Sequence, residues 1–316
     1  MRMKKVREYQ SQVSYSRLIT YGDWRDEKVT WNQNFVETDR GTFEVFIKGE
    51  GPPLCVTHLY SEFNESGDYF ADIFSESHTV YLVNLREAGR SDCAKAPHEL
   101  FMIETVFDLE SIRVALQISQ WVFAGHSTGG MLACVYGIHA SSSLNALIAV
   151  GGAAREYGSS SPACIYHKEH PDHYIMQDYI EALKDPSLDY EKRQFISTER
   201  TKLSLYKPEQ YRNYFDKSIH KKMAATRMDF FAREILQFDV TKQLHQVTAP
   251  TLILCGKHDV QCPVVFSEEM AREIPKAQLA IFNESNHYPF LEEEQAFMEV
   301  IDEFMDTVNG LFPNQA

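Results

Sequence analysis

The hydrophobic and polar positions fall into distinct regimes along the chain. Residues 1–33 mix charges with scattered aromatics and show no sustained period. They read as an extension, either a helix or two packed on the body or a partly disordered segment. From Asn34 the pattern sharpens. Apolar alternation at 35–38, a turn at Asp39-Arg40-Gly41 and a second run at 43–47 predict an antiparallel hairpin. Short apolar runs at 54–58 and 80–85 predict buried strands, with a helix-like segment at 64–75 between them. Met102, Val106, Leu109, Ile112 and Leu116 recur at spacings of three and four, which makes one apolar helix face. Runs at 121–124 and 144–150 give two further strands. Strand and helix thus alternate from residue 54, the rhythm of a parallel sheet with helices on both faces.

The alternation stops at 155. Residues 155–245 hold no convincing strand and read as helical stretches rich in acids and aromatics, for example at 174–183 and 228–238. A strand at 250–255, a helix at 264–273, a strand at 278–282 and an amphipathic helix at 291–308 then complete the chain. An all-helical insert between two strands of such a sheet is expected to cover the strand ends, where open α/β sheets bind ligands. The expected domains are an N-terminal extension (1–33), a core built from 34–154 with 246–316, and a helical cap (155–245).

Composition narrows the partners. Hydrophobic and charged fractions of 44% and 24% are those of an ordinary globular protein. A net charge of −14 argues against nucleic acid or an anionic membrane. The longest apolar run, near 146–154, is broken by two glycines and is too short to span a bilayer. The basic start Met1-Arg2-Met3-Lys4-Lys5 lacks the apolar core of a secretory signal. Six cysteines (Cys55, Cys93, Cys134, Cys164, Cys255, Cys262) have no metal-like spacing and read as buried thiols of a reducing compartment. The expectation is a cytoplasmic protein, monomer or homodimer, acting on a small molecule, with no nucleic-acid or membrane partner.

The candidate chemistry centres on Gly125-His126-Ser127-Thr128-Gly129-Gly130, between an uncharged strand and an apolar helix. A turn this tight leaves no room for Cβ atoms at Gly125 and Gly129. It lifts the Ser127 hydroxyl above the sheet edge, beside the first free N–H groups of the helix. A serine hydroxyl is a poor nucleophile without a base, and the base needs an orienting carboxylate. Asp259 follows the strand at 250–255, and His287 lies in the loop Asn286-His287-Tyr288-Pro289 before the last helix. Each of the three follows the C-terminal end of a strand.

With these residues the chain resembles the α/β-hydrolase superfamily over about residues 34–310, most closely the capped bacterial hydrolases of the proline iminopeptidase-like type. The elbow, Gly256 to Asp259, Asn286-His287 and the loop Arg86-Glu87-Ala88-Gly89-Arg90-Ser91-Asp92 carry the resemblance. It implies an eight-stranded, mostly parallel sheet with an inserted helical cap. It also implies Ser127 as nucleophile, His287 as base and then acid, and Asp259 as its orienter. Family members usually carry His-Gly after the third strand, and the next residue donates an N–H to the oxyanion. Here the run is His58-Leu59-Tyr60, with leucine in the glycine's place, so a different backbone path is expected. By position the oxyanion donors are the N–H groups of Thr128 and Tyr60. True proline iminopeptidases carry a longer glycine- and proline-rich run at this point, which this chain lacks.

Candidates for the pocket wall are His58, Leu59, His126 and Tyr288, although His58 and His126 read first as packing or loop-orienting groups. Glu156 is the alternative to Asp259 as the triad acid. The cluster His167-Lys168-Glu169-His170-Pro171-Asp172-His173 reads as a solvated helix end rather than a metal site. No cofactor is required. The expected function is hydrolysis of an ester, thioester, lactone or amide through an acyl-enzyme. Its rivals are a proline iminopeptidase-type aminopeptidase, C–C cleavage or acyl transfer on the same triad, and a catalytically silent ligand-binding protein. An aminopeptidase needs buried cap carboxylates for a substrate ammonium, and Glu156, Glu169, Asp172, Glu181, Glu199 and Glu234 are the candidates.

Overall fold

The computed structural model describes residues 6–9, 30–185, 187–220 and 222–311, with the backbone alone at 6–9 and at 311. The strands in chain order are β1 (Val6–Tyr9), β2 (Asn32–Thr38), β3 (Gly41–Lys48), β4 (Pro53–Val56), β5 (Ser61–Glu62), β6 (Thr79–Val83), β7 (Trp121–His126), β8 (Leu144–Val150), β9 (Lys222–Met223), β10 (Thr251–Gly256) and β11 (Ala277–Phe282). The main sheet runs β1-β11-β10-β8-β7-β4-β6-β3-β2. Its β2–β3 and β3–β6 pairs are antiparallel, and its other pairs are parallel. The eight expected strands are present. Val6–Tyr9 adds a ninth at the edge, a strand that the unpatterned extension did not announce. The rest of the 1–29 reading lies outside the described residues.

The helices are α1 (Tyr69–Phe74), α2 (Met102–Ala115), α3 (Thr128–Ala140), α4 (His173–Lys184), α5 (Tyr190–Lys202), α6 (Tyr211–Tyr214), α7 (Ala225–Glu234), α8 (Val264–Glu273), α9 (Pro289–Glu292) and α10 (Glu294–Leu311). Side chains alternate across the central strands. Trp121 and Phe123 enter the core that holds Val106, Leu109 and Ile112 of α2, Tyr136 of α3 and Met270 of α8. Val122 and Ala124 enter the opposite core, with Phe70 and Phe74 of α1 and Phe297 and Phe304 of α10. Both faces are covered, which is why these strands read as unbroken apolar runs.

One predicted helix is shorter than its pattern and another is broken near its start. The segment at 64–75 becomes helical only at Tyr69. Asn64 Oδ1 accepts from Ser66 N at 2.9 Å, Gly67 takes φ +82°, and Asp68 caps the helix through Phe70 N and Ala71 N. The terminal helix breaks between Glu292 and Glu294, because Glu292 and Glu293 bend back to bond the preceding loop. Between β8 and β10 the chain leaves the sheet for α4–α7. Here the expectation of no strand meets one exception: β9 pairs antiparallel with β5, which ties this segment to the loop after β4.

Candidate active site

Ser127 joins β7 to α3 with φ 57° and ψ −117°, a conformation strained for a residue with a side chain. A Cβ on Gly125 would come 2.1 Å from the Gly129 carbonyl oxygen, and one on Gly129 would come 2.5 Å from that of Thr57. Only glycine allows α3 to start this close to the sheet. Ser127 N donates to Val150 O at 2.8 Å, which holds the turn against the end of β8. Thr128 N is the first N–H of α3 and lies ahead of the helix's own acceptors.

Asp259 and His287 are both buried, and Nδ1 of His287 lies 2.9 Å from Asp259 Oδ2. The other carboxylate oxygen accepts from Gln261 N at 2.9 Å and Cys262 N at 2.8 Å. The carboxylate is therefore fixed at both ends. Glu156, the alternative acid, bonds Ser159 and Ser160 instead. A Cβ on Gly151, just past β8, would stand 3.0 Å from Asp259 Oδ2 and 3.3 Å from the His287 ring. The pair thus lies directly over the end of the strand to which Ser127 N is bonded. His126, the residue before Ser127, brings Nε2 to 2.8 Å from His287 O, and their rings lie 4.6 Å apart. His126 therefore ties the two loops together, and Tyr288 packs on its ring at 5.5 Å.

Sequence reasoning missed what holds the histidine loop. Asn286 N and Tyr288 N, on either side of His287, both donate to Glu292 Oε2, at 2.8 and 3.2 Å. Glu284 N and Ser285 Oγ donate to Glu293 Oε2. Burial pushes the Glu292 carboxyl up to about 7, against the pull of the three N–H groups it accepts. His287 N donates to Ser204 O at 3.2 Å, so residues just past α5 sit on this loop.

The loop after β4 completes the surround. Leu59 is buried in the core and needs no left-handed backbone, since the non-glycine residues with positive φ among those described are Glu87, Gln117 and Ser127. Its N–H reaches Thr128 Oγ1 at 3.3 Å. Tyr60 N faces His58 Nδ1 at 3.5 Å, a weak contact, while Ser61 Oγ sits 2.9 Å from the same nitrogen. Arg227 of α7, buried and unforeseen, donates Nε to Leu59 O, one terminal nitrogen to Arg86 O at 3.3 Å and the other to Thr105 Oγ1 at 3.0 Å. Burial lowers its guanidinium to about 10. Ala224 N donates to Tyr60 O at 2.8 Å.

Aromatic side chains of the 155–245 segment divide in two. Phe231 packs on Tyr60 at 5.5 Å, and Tyr166 donates its hydroxyl to Gln261 Oε1 at 2.8 Å. Phe230 packs on Phe101 and Tyr174 faces solvent. The acids sort as well. Glu169, Asp172 and Glu181 are exposed, Glu199 pairs with Lys202 at 2.7 Å, and Glu234 accepts from Met102 N at 2.9 Å. His167 and His170 accept backbone N–H groups two residues on, in turns that lead into α4. Among the described residues no three His, Cys, Asp or Glu side chains are placed to hold a metal. Five of the cysteines are buried, and Cys93 is exposed.

A family model for the alpha/beta hydrolase fold matches residues 57–294. The chain belongs to that family. A proline iminopeptidase of Saccharolobus solfataricus is 29% identical to this α/β hydrolase over 282 residues, covering 84% of this chain and 88% of the relative. A pimeloyl-[acyl-carrier protein] methyl ester esterase of Legionella pneumophila is 24% identical over 262 residues, 81% of this chain and 96% of the relative. Among solved structures, an alpha/beta fold family hydrolase from Bacillus anthracis superimposes with a TM-score of 0.84 at 44% identity, covering 87% of this chain and 99% of its own. The protein is a hydrolase of this fold.

Proposed function

We propose that this α/β hydrolase is a serine hydrolase that cleaves an ester, thioester, lactone or amide of a small, partly apolar substrate through an acyl-enzyme. The observation that carries this reading is the buried Asp259–His287 bond, on a loop that His126 fastens to the strained Ser127 turn. In the proposed reaction Ser127 Oγ attacks the carbonyl carbon while His287 Nε2 takes its proton. The N–H groups of Thr128 and Tyr60 receive the oxyanion. Collapse breaks the bond to the leaving group, which His287 protonates. Water then attacks the acyl-enzyme, with His287 again taking the proton, and Ser127 is released. Asp259 holds Nδ1–H throughout, so that Nε2 faces the serine as an acceptor. Residues 155–245 serve as a cap over this site, supported by the bonds from Ser204 and Arg227 to its loops.

Of the rival activities, the aminopeptidase reading draws support from the Saccharolobus relative's name. Against it, the six candidate acids are exposed or already engaged. We place the enzyme in the cytoplasm, on the strength of its five buried thiols. Among the described residues no helix is long and apolar enough to cross a membrane.

A fluorophosphonate probe tests the nucleophile. Labelling should map to Ser127, and Ser127→Ala should abolish it and lower kcat on short p-nitrophenyl esters by about 10³-fold or more. Retention of most turnover in that variant refutes Ser127 as the nucleophile. Turnover of proline-naphthylamide well above that of the esters would favour the aminopeptidase.

A further inference from the structure

Resting on the serine-hydrolase reading, we propose that Arg200 of the cap binds a carboxylate on the substrate, so that the preferred substrates are acyl compounds bearing a carboxylate away from the scissile bond. The placement comes from α5. Ser204, four residues after Arg200, gives its carbonyl to His287 N at 3.2 Å, and its hydroxyl accepts from Gln261 Nε2 at 3.0 Å. Gln261 in turn accepts the Tyr166 hydroxyl. The end of α5 thus rests on the catalytic loop, and Arg200 lies one turn back on the helix.

Arg200 Nε is buried and has no hydrogen-bond partner among the described residues. A guanidinium N–H shielded from water and left without an acceptor is costly, unless something absent from the free protein fills the place. Glu199, the adjacent acid, is engaged by Lys202. Burial raises the hydroxyls of Tyr60, Tyr166 and Tyr288, and the positive charge of Arg200 opposes that rise at each. Tyr60 belongs to the proposed oxyanion loop and Tyr288 follows His287, so the side chains that feel this charge come from both flanks of the serine turn.

The chemistry of that position selects the ligand. A planar guanidinium fork matches a carboxylate with two parallel hydrogen bonds, and tyrosine hydroxyls can add donors to the same oxygens. The protein as a whole carries a charge of −14, so a cation here is a local feature and not part of a general positive field. The candidate acids of the same segment are exposed or engaged, which leaves the cap with a partner for an anion and none for an ammonium.

The test compares p-nitrophenyl hemiglutarate with neutral p-nitrophenyl valerate, in the wild-type enzyme and in Arg200→Gln and Arg200→Lys. The expected result is a fall of about 10- to 100-fold in the hemiglutarate-to-valerate ratio of kcat/KM for Arg200→Gln, and a smaller fall for Arg200→Lys. A ratio unchanged within about twofold, or equal losses on both esters, overturns the proposal. A second arm needs no turnover: calorimetric titration of monomethyl glutarate into Ser127→Ala, with and without Arg200→Gln. Binding that weakens about tenfold or more with the added change supports the carboxylate site. No binding, or binding indifferent to Arg200, overturns it. If neither ester is hydrolysed but binding depends on Arg200, the hydrolase reading fails and the carboxylate site stands.

Discussion

Asp259→Asn tests the proposed catalytic geometry more sharply than any deletion, because the structure dictates how the new amide must lie. Oδ1 of Asp259 accepts from Gln261 N and Cys262 N at 2.9 and 2.8 Å. An amide NH₂ cannot face two N–H donors, so the asparagine oxygen has to take that end. Its NH₂ is then directed at Nδ1 of His287, 2.9 Å from the replaced oxygen. Nδ1 must accept, the imidazole proton moves to Nε2, and Nε2 can no longer take a proton from Ser127. The fold loses little, since the side chains are nearly isosteric and every polar atom keeps a partner. The reaction loses its base in the required tautomer. The same change in another serine enzyme costs about 10⁴-fold, which is about 5 kcal/mol of transition-state stabilisation. The assay is kcat/KM on p-nitrophenyl esters, with the fluorophosphonate labelling rate and a thermal melt measured in parallel. The expected outcome is a loss of about 10³- to 10⁴-fold with a melting temperature close to wild type. Asp259→Asn within tenfold of wild type would refute the orientation argument and the role of Asp259 together.

Two further outcomes are expected. Glu292 carries a carboxyl raised by burial to about 7, against 4.5 when unfolded, so between those values the folded chain holds a proton that the unfolded chain has released. Stability from this group is full below pH 4.5 and is lost as pH rises towards 7, by up to about 3 kcal/mol. Glu292→Gln should remove this component, and identical pH slopes for the two proteins in urea unfolding would rule it out. Gly125→Ala would place a methyl carbon 2.1 Å from the Gly129 carbonyl oxygen, a backbone atom that cannot yield without moving α3. It should cost about 3 kcal/mol or more and abolish labelling; an unchanged melt would contradict the close approach of α3 to β7.

The chain announces most of the core because its central strands are buried on both faces. Runs such as Trp121 to Ala124 can hardly be anything else once they alternate with helices. The Ser127, Asp259 and His287 candidates are legible for a related reason: each lies within five residues of the C-terminal end of a strand. What stayed hidden depends on partners far away in sequence. Arg227 sits in the polar run Ala225-Thr226-Arg227-Met228-Asp229 and looks like any exposed helix position, yet its acceptors belong to residues 59, 86 and 105. Glu292 stands in the run Glu292-Glu293-Glu294, which reads as a solvated face until the loop folds back onto it. Leu59 stands out in the sequence only as a departure from the family's glycine; that its side chain fills the core, with φ outside the left-handed region, depends on residues from other strands and helices.

The short pairing between β5 and β9 has an implication for protein engineering. Together with Ala224 and Arg227 it makes the peptide units at 59–62 as much a product of the inserted segment as of the sheet. On the proposed reading, a chimera that exchanged residues 155–245 for those of another relative would therefore inherit a different electrostatic cradle as well as a different doorway. Altered reaction rates in such a chimera could not be credited to substrate fit alone, and any transplant meant to change selectivity should carry its own version of the 58–62 turn.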